Sequence, residues 1–315
     1  MATSRIAAML SAGPEDGDVA RHLEELRTAV LEDGIPSNPD GMSEYRVYVW
    51  LIFLNALPIS TNDHLGVVDL KASAAHNKIV QDLHRTFQGD SNFKVRVTAN
   101  SLCRVLNAMA WKMIDRHENG LNSAAITGGN SGQNQHIGYK QGLNILAGVL
   151  LYAGKSETEA IACLDKLLYA EMPGYYRNIH MAGAKKGCKL VDEILSIVDP
   201  ELYKYLERKQ LIAEVYAFRA VITLSACAEP LLEVLKLWDF LFAYGVHTNI
   251  ICIVAQLVLV REDLLSTKMP STIIGRDWPR LHADNVKALT MRLVGKLPEE
   301  LYLRVLNHAQ VDRVY

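Results

Sequence analysis

Residues 136–151 read HIGYKQGLNILAGVLL, and the two halves of this stretch follow different rules. From Leu143 onward the run is apolar and predicts a buried helix. At its start stand Tyr139, Gln141 and Asn144, three polar side chains that burial alone does not require. Immediately upstream lies TGGNSGQNQ, residues 127–135, which is rich in Gly, Asn and Gln and predicts a loop. A polar loop followed by a glutamine at the mouth of an apolar helix is the feature around which the rest of the chain has to be read.

The remainder of the sequence is helical in the same style. Leu102, Val105, Leu106, Met109, Met113 and Ile114 fall on one face of a helix expected over 98–115. SETEAIACLDKLLYAEMPG opens with Ser156 and Glu159, which have the spacing of a capping box, and stops before Pro173. Val191, Ile194, Leu195 and Val198 form another stripe, ended by Asp199-Pro200. EPLLEVLKLWDFLFAYG starts at Pro230 and ends at Gly245, and a last helix starts after Pro298. Period-two alternation is scarce, so the predicted class is all-α. Predicted breaks are a turn-rich link over 33–43 after an N-terminal helix at 17–32, a polar loop over 117–136, and a separator over 266–279.

The bulk composition narrows the function classes. A length of 315 residues allows one large domain or two coupled subdomains. A formal net charge of −2 gives no support for broad electrostatic binding to nucleic acid or to an acidic membrane. Five scattered cysteines without a Cys-x-x-Cys pair suit buried thiols in a reducing compartment. The longest apolar run, IICIVAQLVLV at 250–260, is interrupted by Gln256 and is far shorter than the ~20 residues a bilayer requires. A cytoplasmic or nuclear protein with no nucleic-acid partner and no direct membrane insertion is expected. The histidines do not cluster into a metal site, and neither a phosphate-binding loop nor a G-x-S-x-G elbow is present.

Two stretches could carry chemistry. In KIVQDLHRTF, residues 78–87, Ile79, Asp82, Leu83 and Thr86 are helically spaced, and Asp82 and Arg85 are three apart, so the carboxylate could steady the guanidinium, although an isolated pair of this kind is more often a surface ion pair. The other stretch holds Gln141, which could equally be a polar first turn of a helix. Two tryptophan stretches frame them: YRVYVW sets Arg46 and Trp50 four apart, and KLWDFLF holds Trp238 beside Asp239. An aspartate inside an apolar helix needs a partner, either a helix N-terminus or an arginine.

In this order, R-x-x-x-W at Arg46–Trp50, I-x-x-D-x-x-R at Ile79–Arg85, Y-x-Q-G-x-N at Tyr139–Asn144 and W-D at Trp238-Asp239 resemble the motifs of the TBC domain, which activates GTP hydrolysis mostly by Rab-type GTPases. Within that family, MAGAKKGCKLVDEILSIVDPELYKYL and LKLWDFLFAYGVHTNI resemble the TBC subunit of the fungal two-component spindle-position checkpoint, which restrains mitotic exit and septation. The resemblance implies a TBC-type fold of two helical subdomains over residues 35–262, an N-terminal helical segment over 1–34 and a C-terminal helical extension over 263–315. It implies that Arg85 and Gln141 act as catalytic fingers in trans, with Asp82, Tyr139, Gly142 and Asn144 supporting them and Arg46, Trp50, Trp238 and Asp239 forming a structural frame. It implies no cofactor of the chain's own, since GTP and Mg²⁺ belong to the partner GTPase, so the chain is an activator and not an enzyme in the strict sense. The implied partners are that GTPase and a larger scaffold subunit, with concentration at spindle pole bodies. The alternative is a non-catalytic helical scaffold with the same fold. Departures from the family pattern are Lys236 where an arginine is usual before W-D, Glu229-Pro230 in place of Leu-Pro, and FRAVITL around Ala220 where an aromatic pair is common.

Overall fold

Capping side chains start the helices much where local chemistry predicts. Ser156 and Glu159 close their box reciprocally: the Glu159 amide donates to Ser156 Oγ at 3.2 Å, and the Ser156 amide donates to Glu159 Oε2 at 3.0 Å. Asp199 accepts from the Leu202 amide at 3.0 Å at the head of a helix whose first residue is Pro200. In the computed structural model, residues 4–59, 71–126, 138–176, 180–275 and 278–310 are described, with the side chains of 117–126 left aside. Among them the chain is helical throughout and contains no strand.

Nineteen α-helices are described. Those used below are α1 (Arg5–Ala12), α2 (Val19–Asp33), α3 (Arg46–Phe53), α4 (His76–Leu83), α5 (Ser91–Arg96), α6 (Ala99–Ile126), α7 (Leu143–Ala153), α8 (Glu157–Lys166), α9 (Pro173–Tyr176), α10 (Ala182–Val198), α14 (Leu231–Tyr244), α15 (Asn249–Leu259), α18 (Ala283–Val294) and α19 (Glu299–Asn307). Two differences from the sequence-based expectations stand out. A separate helix, α1, precedes the helix expected at 17–32, within the helical segment that the resemblance implies over 1–34; Ser4 accepts from the Ala7 amide at 3.2 Å and Ile6 is buried. Helix α6 runs through Ile126, so the first half of the loop expected over 117–136 is helical; the rest of that loop lies outside the described residues.

The chain forms two compact units, called inner and outer by their order in the sequence alone: residues 56–165 make the inner one, and residues 1–55 with 166–315 make the outer one. In the inner unit, Ile79, Leu106, Met109, Leu146 and Val149 form the core, and every residue of α7 is buried. A helix apolar on all sides has no solvent face to offer, and α7 accordingly has none.

In the outer unit, polar side chains that interrupt apolar runs act as anchors. Gln256, buried within α15, accepts from Trp278 Nε1 at 2.6 Å and donates to the Pro279 carbonyl at 2.7 Å, fixing the segment that leads into α18. Arg27 of α2 donates to the carbonyls of Phe242 and Ala243, each at 2.7 Å, and to Phe53 at 3.3 Å. It thereby satisfies end carbonyls of α14 and α3, where a cation is favoured by the helix dipole.

The last described turn of the outer unit has a titratable plug. His308 is buried, with Nδ1 at 2.5 Å from the Val305 carbonyl and Nε2 at 2.6 Å from the Tyr175 hydroxyl. Since a carbonyl can only accept, Nδ1 donates and Nε2 accepts from Tyr175. Burial pushes His308 down to about 4, and also His247 nearby. An unfolded histidine titrates near ~6.5. The contribution of a neutral His308 is therefore complete above that pH and is lost as the pH falls from there toward the folded value. The expected result is a fall in unfolding free energy of about 1.4 kcal/mol per pH unit per histidine over that window. His308→Gln is expected to flatten the pH dependence of urea unfolding between those limits; an unchanged slope would rule out the buried neutral imidazole.

Candidate functional site

Helix α4 ends at Leu83, so Arg85 stands in the turn after the helix and not on its face. This differs from the helical spacing read over Ile79–Thr86. The turn is closed by the Arg85 amide donating to the Asp82 carbonyl at 3.2 Å. The Arg85 side chain is 61% exposed, whereas that of Asp82 is 3% exposed. Arg85 Nη2 donates to Asp82 Oδ1. Tyr139 donates through its hydroxyl to Asp82 Oδ2 at 2.5 Å. Burial and this bond to Asp82 push the Tyr139 phenol well above its ordinary range, so it stays protonated and serves as the donor. One carboxylate thus links a buried tyrosine to an exposed guanidinium.

The second segment is built on Gly142. It lies just before α7 with φ +100°, a left-handed conformation that L side chains rarely adopt. The glycine lets the chain reverse into α7 directly after Gln141, leaving Gln141 exposed while all of α7 is buried. Two residues on, Asn144 is buried and donates through Nδ2 to Thr86 Oγ1 at 2.8 Å. Thr86 Oγ1 in turn donates to the Asp82 carbonyl at 2.7 Å. Lys140, beside Gln141, is half-buried, and desolvation pushes its ammonium down to about 8.

The inner unit therefore brings together Asp82, Arg85, Tyr139, Gln141, Gly142 and Asn144. Chemically the arrangement offers an exposed, permanently charged planar donor and an exposed carboxamide able both to donate and to accept, each mounted on a buried, hydrogen-bonded support. Among the described residues no group of His, Cys, Asp and Glu could hold a metal ion.

Arg46, Trp50, Trp238 and Asp239 gather separately, in the outer unit. Arg46 Nε lies 3.0 Å from Asp239 Oδ1, Nη2 lies 3.0 Å from Oδ2, and Trp50 Nε1 donates to Oδ1 at 2.9 Å. Arg46 also donates to the Gly41 carbonyl. Trp50 and Trp238 are both fully buried with ring centroids 5.8 Å apart, and Trp238 Nε1 donates to the Leu224 carbonyl at 3.0 Å. Burial pushes the Asp239 carboxyl up, opposed by the Arg46 guanidinium and the Trp50 indole. This is a framework of satisfied buried polar groups. Lys236, where the family has arginine, pairs with Glu233 at 2.7 Å.

Two contributors escaped sequence reasoning. Thr86 was visible only as one position of an apolar-looking face. Gly148 went unremarked, yet a Cβ there would lie 2.9 Å from Phe87 Cε2 and 3.3 Å from Thr86 Cγ2. A glycine inside an apolar helix was the available signal, since it often marks close backbone approach.

Comparison with known proteins places these features. The Rab-GTPase-TBC domain model matches residues 130–265, a span that holds Tyr139, Gln141, Asn144, Trp238 and Asp239, with Arg46 and Arg85 upstream of it. The chain is 38% identical to cell division control protein 16 of Schizosaccharomyces pombe, over 97% of this chain and 93% of that protein. It is 34% identical to mitotic check point protein BUB2 of Saccharomyces cerevisiae, over 93% of this chain and 94% of that protein. Its fold is similar to the Ypt/Rab-GAP domain of Gyp1p, with a TM-score of 0.67 and 16% identity, covering 96% of this chain and all of that one. With relatives this similar matched over nearly their whole length, and with the domain model spanning both the Gln141 motif and the W-D pair, the chain belongs to the Rab-GTPase-TBC domain family.

Proposed function

We propose that the chain is a GTPase-activating protein that completes the active site of a small Ras- or Rab-like GTPase with Arg85 and Gln141. The observation that carries this reading is that both side chains are exposed while the groups holding them, Asp82, Tyr139 and Asn144, are buried. Hydrolysis of GTP needs charge stabilisation on the transferring phosphoryl group and an aligned water. Arg85 supplies the first through a fixed guanidinium fork. Gln141 supplies the second, accepting from the attacking water and donating toward the phosphoryl oxygens. GTP and Mg²⁺ are held by the partner, and the chain contributes no cofactor. The names of the relatives, a cell division control protein and a mitotic check point protein, support a role in restraining mitotic exit and septation. In that role the chain works with a larger scaffold subunit that brings it to spindle pole bodies.

A GTPase whose own water-positioning glutamine is changed to leucine tests the reading. Wild-type activator is expected to restore hydrolysis in this otherwise locked GTPase, because Gln141 takes over the missing role. Gln141→Ala is expected to abolish that rescue and to slow stimulated hydrolysis of the normal GTPase on the order of 10²-fold, with ground-state binding little changed. Single-turnover hydrolysis for the four combinations of the two glutamines decides. If the leucine GTPase stays inert with wild-type activator while the normal GTPase is stimulated, Arg85 acts with the GTPase's own glutamine and the role of Gln141 is wrong. Absence of stimulation across a panel of small GTPases, with and without scaffold subunits, would favour the non-catalytic scaffold.

A further inference from the structure

The turn carrying Arg85 and the turn carrying Gln141 are more than fifty residues apart in sequence, and two hydroxyls join them: that of Tyr139, on the Asp82 carboxylate, and that of Thr86, which bonds the backbone of the first turn to the side chain of Asn144. We infer that Thr86 is a positioning residue that sets the Arg85 turn and the Gln141 turn in one fixed relation; the functional part of this rests on the finger reading above. Thr86 is 2% exposed. Its Oγ1 donates to the Asp82 carbonyl at 2.7 Å and accepts from Asn144 Nδ2 at 2.8 Å. A hydroxyl can donate and accept through one atom, and here it does both. The first bond pins the turn on which Arg85 stands, because the same Asp82 carbonyl also accepts from the Arg85 amide. The second bond reaches α7 at its second residue, three positions after Gln141.

A steric contact opposes the hydrogen bond. The absent Cβ of Gly148 would fall 3.3 Å from Thr86 Cγ2 and 2.9 Å from Phe87 Cε2, so the α7 backbone lies directly against the turn. Phe87 itself has φ +47°, a left-handed conformation that a bulky residue adopts only when its surroundings impose it. The polar bridge draws the two segments together and the close approach stops them. Neither the charge of Arg85 nor the amide of Gln141 is used in this arrangement, so it acts on orientation alone.

Isosteric variants separate the hydroxyl from the shape. Thr86→Val keeps the volume and removes both bonds; Thr86→Ser keeps the bonds and removes the methyl. Amide exchange followed by mass spectrometry on the full-length protein needs no partner. Thr86→Val is expected to accelerate exchange about 10-fold both at 84–87 and at 139–143, while Thr86→Ser stays near wild type. Acceleration at 84–87 alone would overturn the coupling. For function, the probe is the Ras- or Rab-like GTPase that the wild-type protein stimulates best. Thr86→Val is expected to lower kcat of stimulated hydrolysis about 10²-fold with KM little changed, and Asn144→Ala to add nothing further in the Thr86→Val background. Thr86→Ser is expected to recover most of the rate. A normal kcat in Thr86→Val would overturn the positioning role even if exchange were altered. Insensitivity of the rate to Arg85→Ala would strike the finger reading alone, and the exchange result would then judge the bridge by itself.

Discussion

Arg85→Ala is expected to lower stimulated GTP hydrolysis by about 10³–10⁵-fold, which corresponds to roughly 4–7 kcal/mol of transition-state stabilisation. The side chain is well placed for so large an effect because nothing in the fold depends on its charge. It is 61% exposed and pairs with Asp82, which Tyr139 already holds from the other oxygen. The guanidinium end of the pair is solvated and the buried Asp82 keeps its Tyr139 bond, so the melting temperature is expected to fall only slightly. Arg85→Lys is expected to be nearly as poor as alanine. An ammonium is a point charge and cannot keep a planar fork on phosphate while one edge rests on Asp82. Single-turnover phosphate release measured beside thermal melting checks both halves. Near-wild-type stimulation by correctly folded Arg85→Ala would remove the arginine from the mechanism.

The opposite profile is expected at Asp239. Asp239→Ala strands Arg46, which is 1% exposed, and orphans the Trp50 indole N–H, both of which the carboxylate now satisfies. Breaking a buried pair by removing one partner costs about 3–5 kcal/mol, a large part of the stability of an ordinary domain. The effect is expected as a lower midpoint of urea unfolding. Changing both partners to apolar residues, Arg46→Met with Asp239→Leu, is expected to be less damaging than Asp239→Ala alone, because no uncompensated charge then remains buried. If the double variant were as unstable as the sum of its single changes, the pair would be serving separate interactions and not one.

What the sequence made legible was local. Capping boxes, Asp199-Pro200, Pro230, Gly245 and Pro298 are punctuation whose chemistry is complete within a few residues, and helices start and stop beside them. Arg46 and Trp50 were legible as a pair for the same reason, since a four-residue spacing sets both on one face of α3. The partner of Asp239 was not, because Arg46 is 193 residues away and no spacing rule reaches that far. The end of α4 at Leu83 was missed because apolar periodicity continues to Thr86, which is buried for a different reason, as a bridge to Asn144. The extent of α6 was missed because Gly120 and its polar neighbours read as a loop. A glycine costs about 1 kcal/mol inside a helix, a penalty that a helix of 28 residues can absorb.

The way the chain is threaded through its two units has a consequence for biosynthesis. Residues 56–165 are continuous, whereas the other unit is assembled from residues 1–55 and 166–315. On the ribosome, everything the inner unit requires has been made once Asp165 has emerged, and its helices can close over short chain separations. The discontinuous unit must wait: α3 emerges early, but the carboxylate for its Arg46 arrives only with α14. Until then Trp50 and the apolar face of α3 have no permanent cover, which makes the nascent N-terminal segment the stretch most dependent on chaperones. Pulse proteolysis of stalled nascent chains is expected to find residues 56–165 protected before residues 46–53.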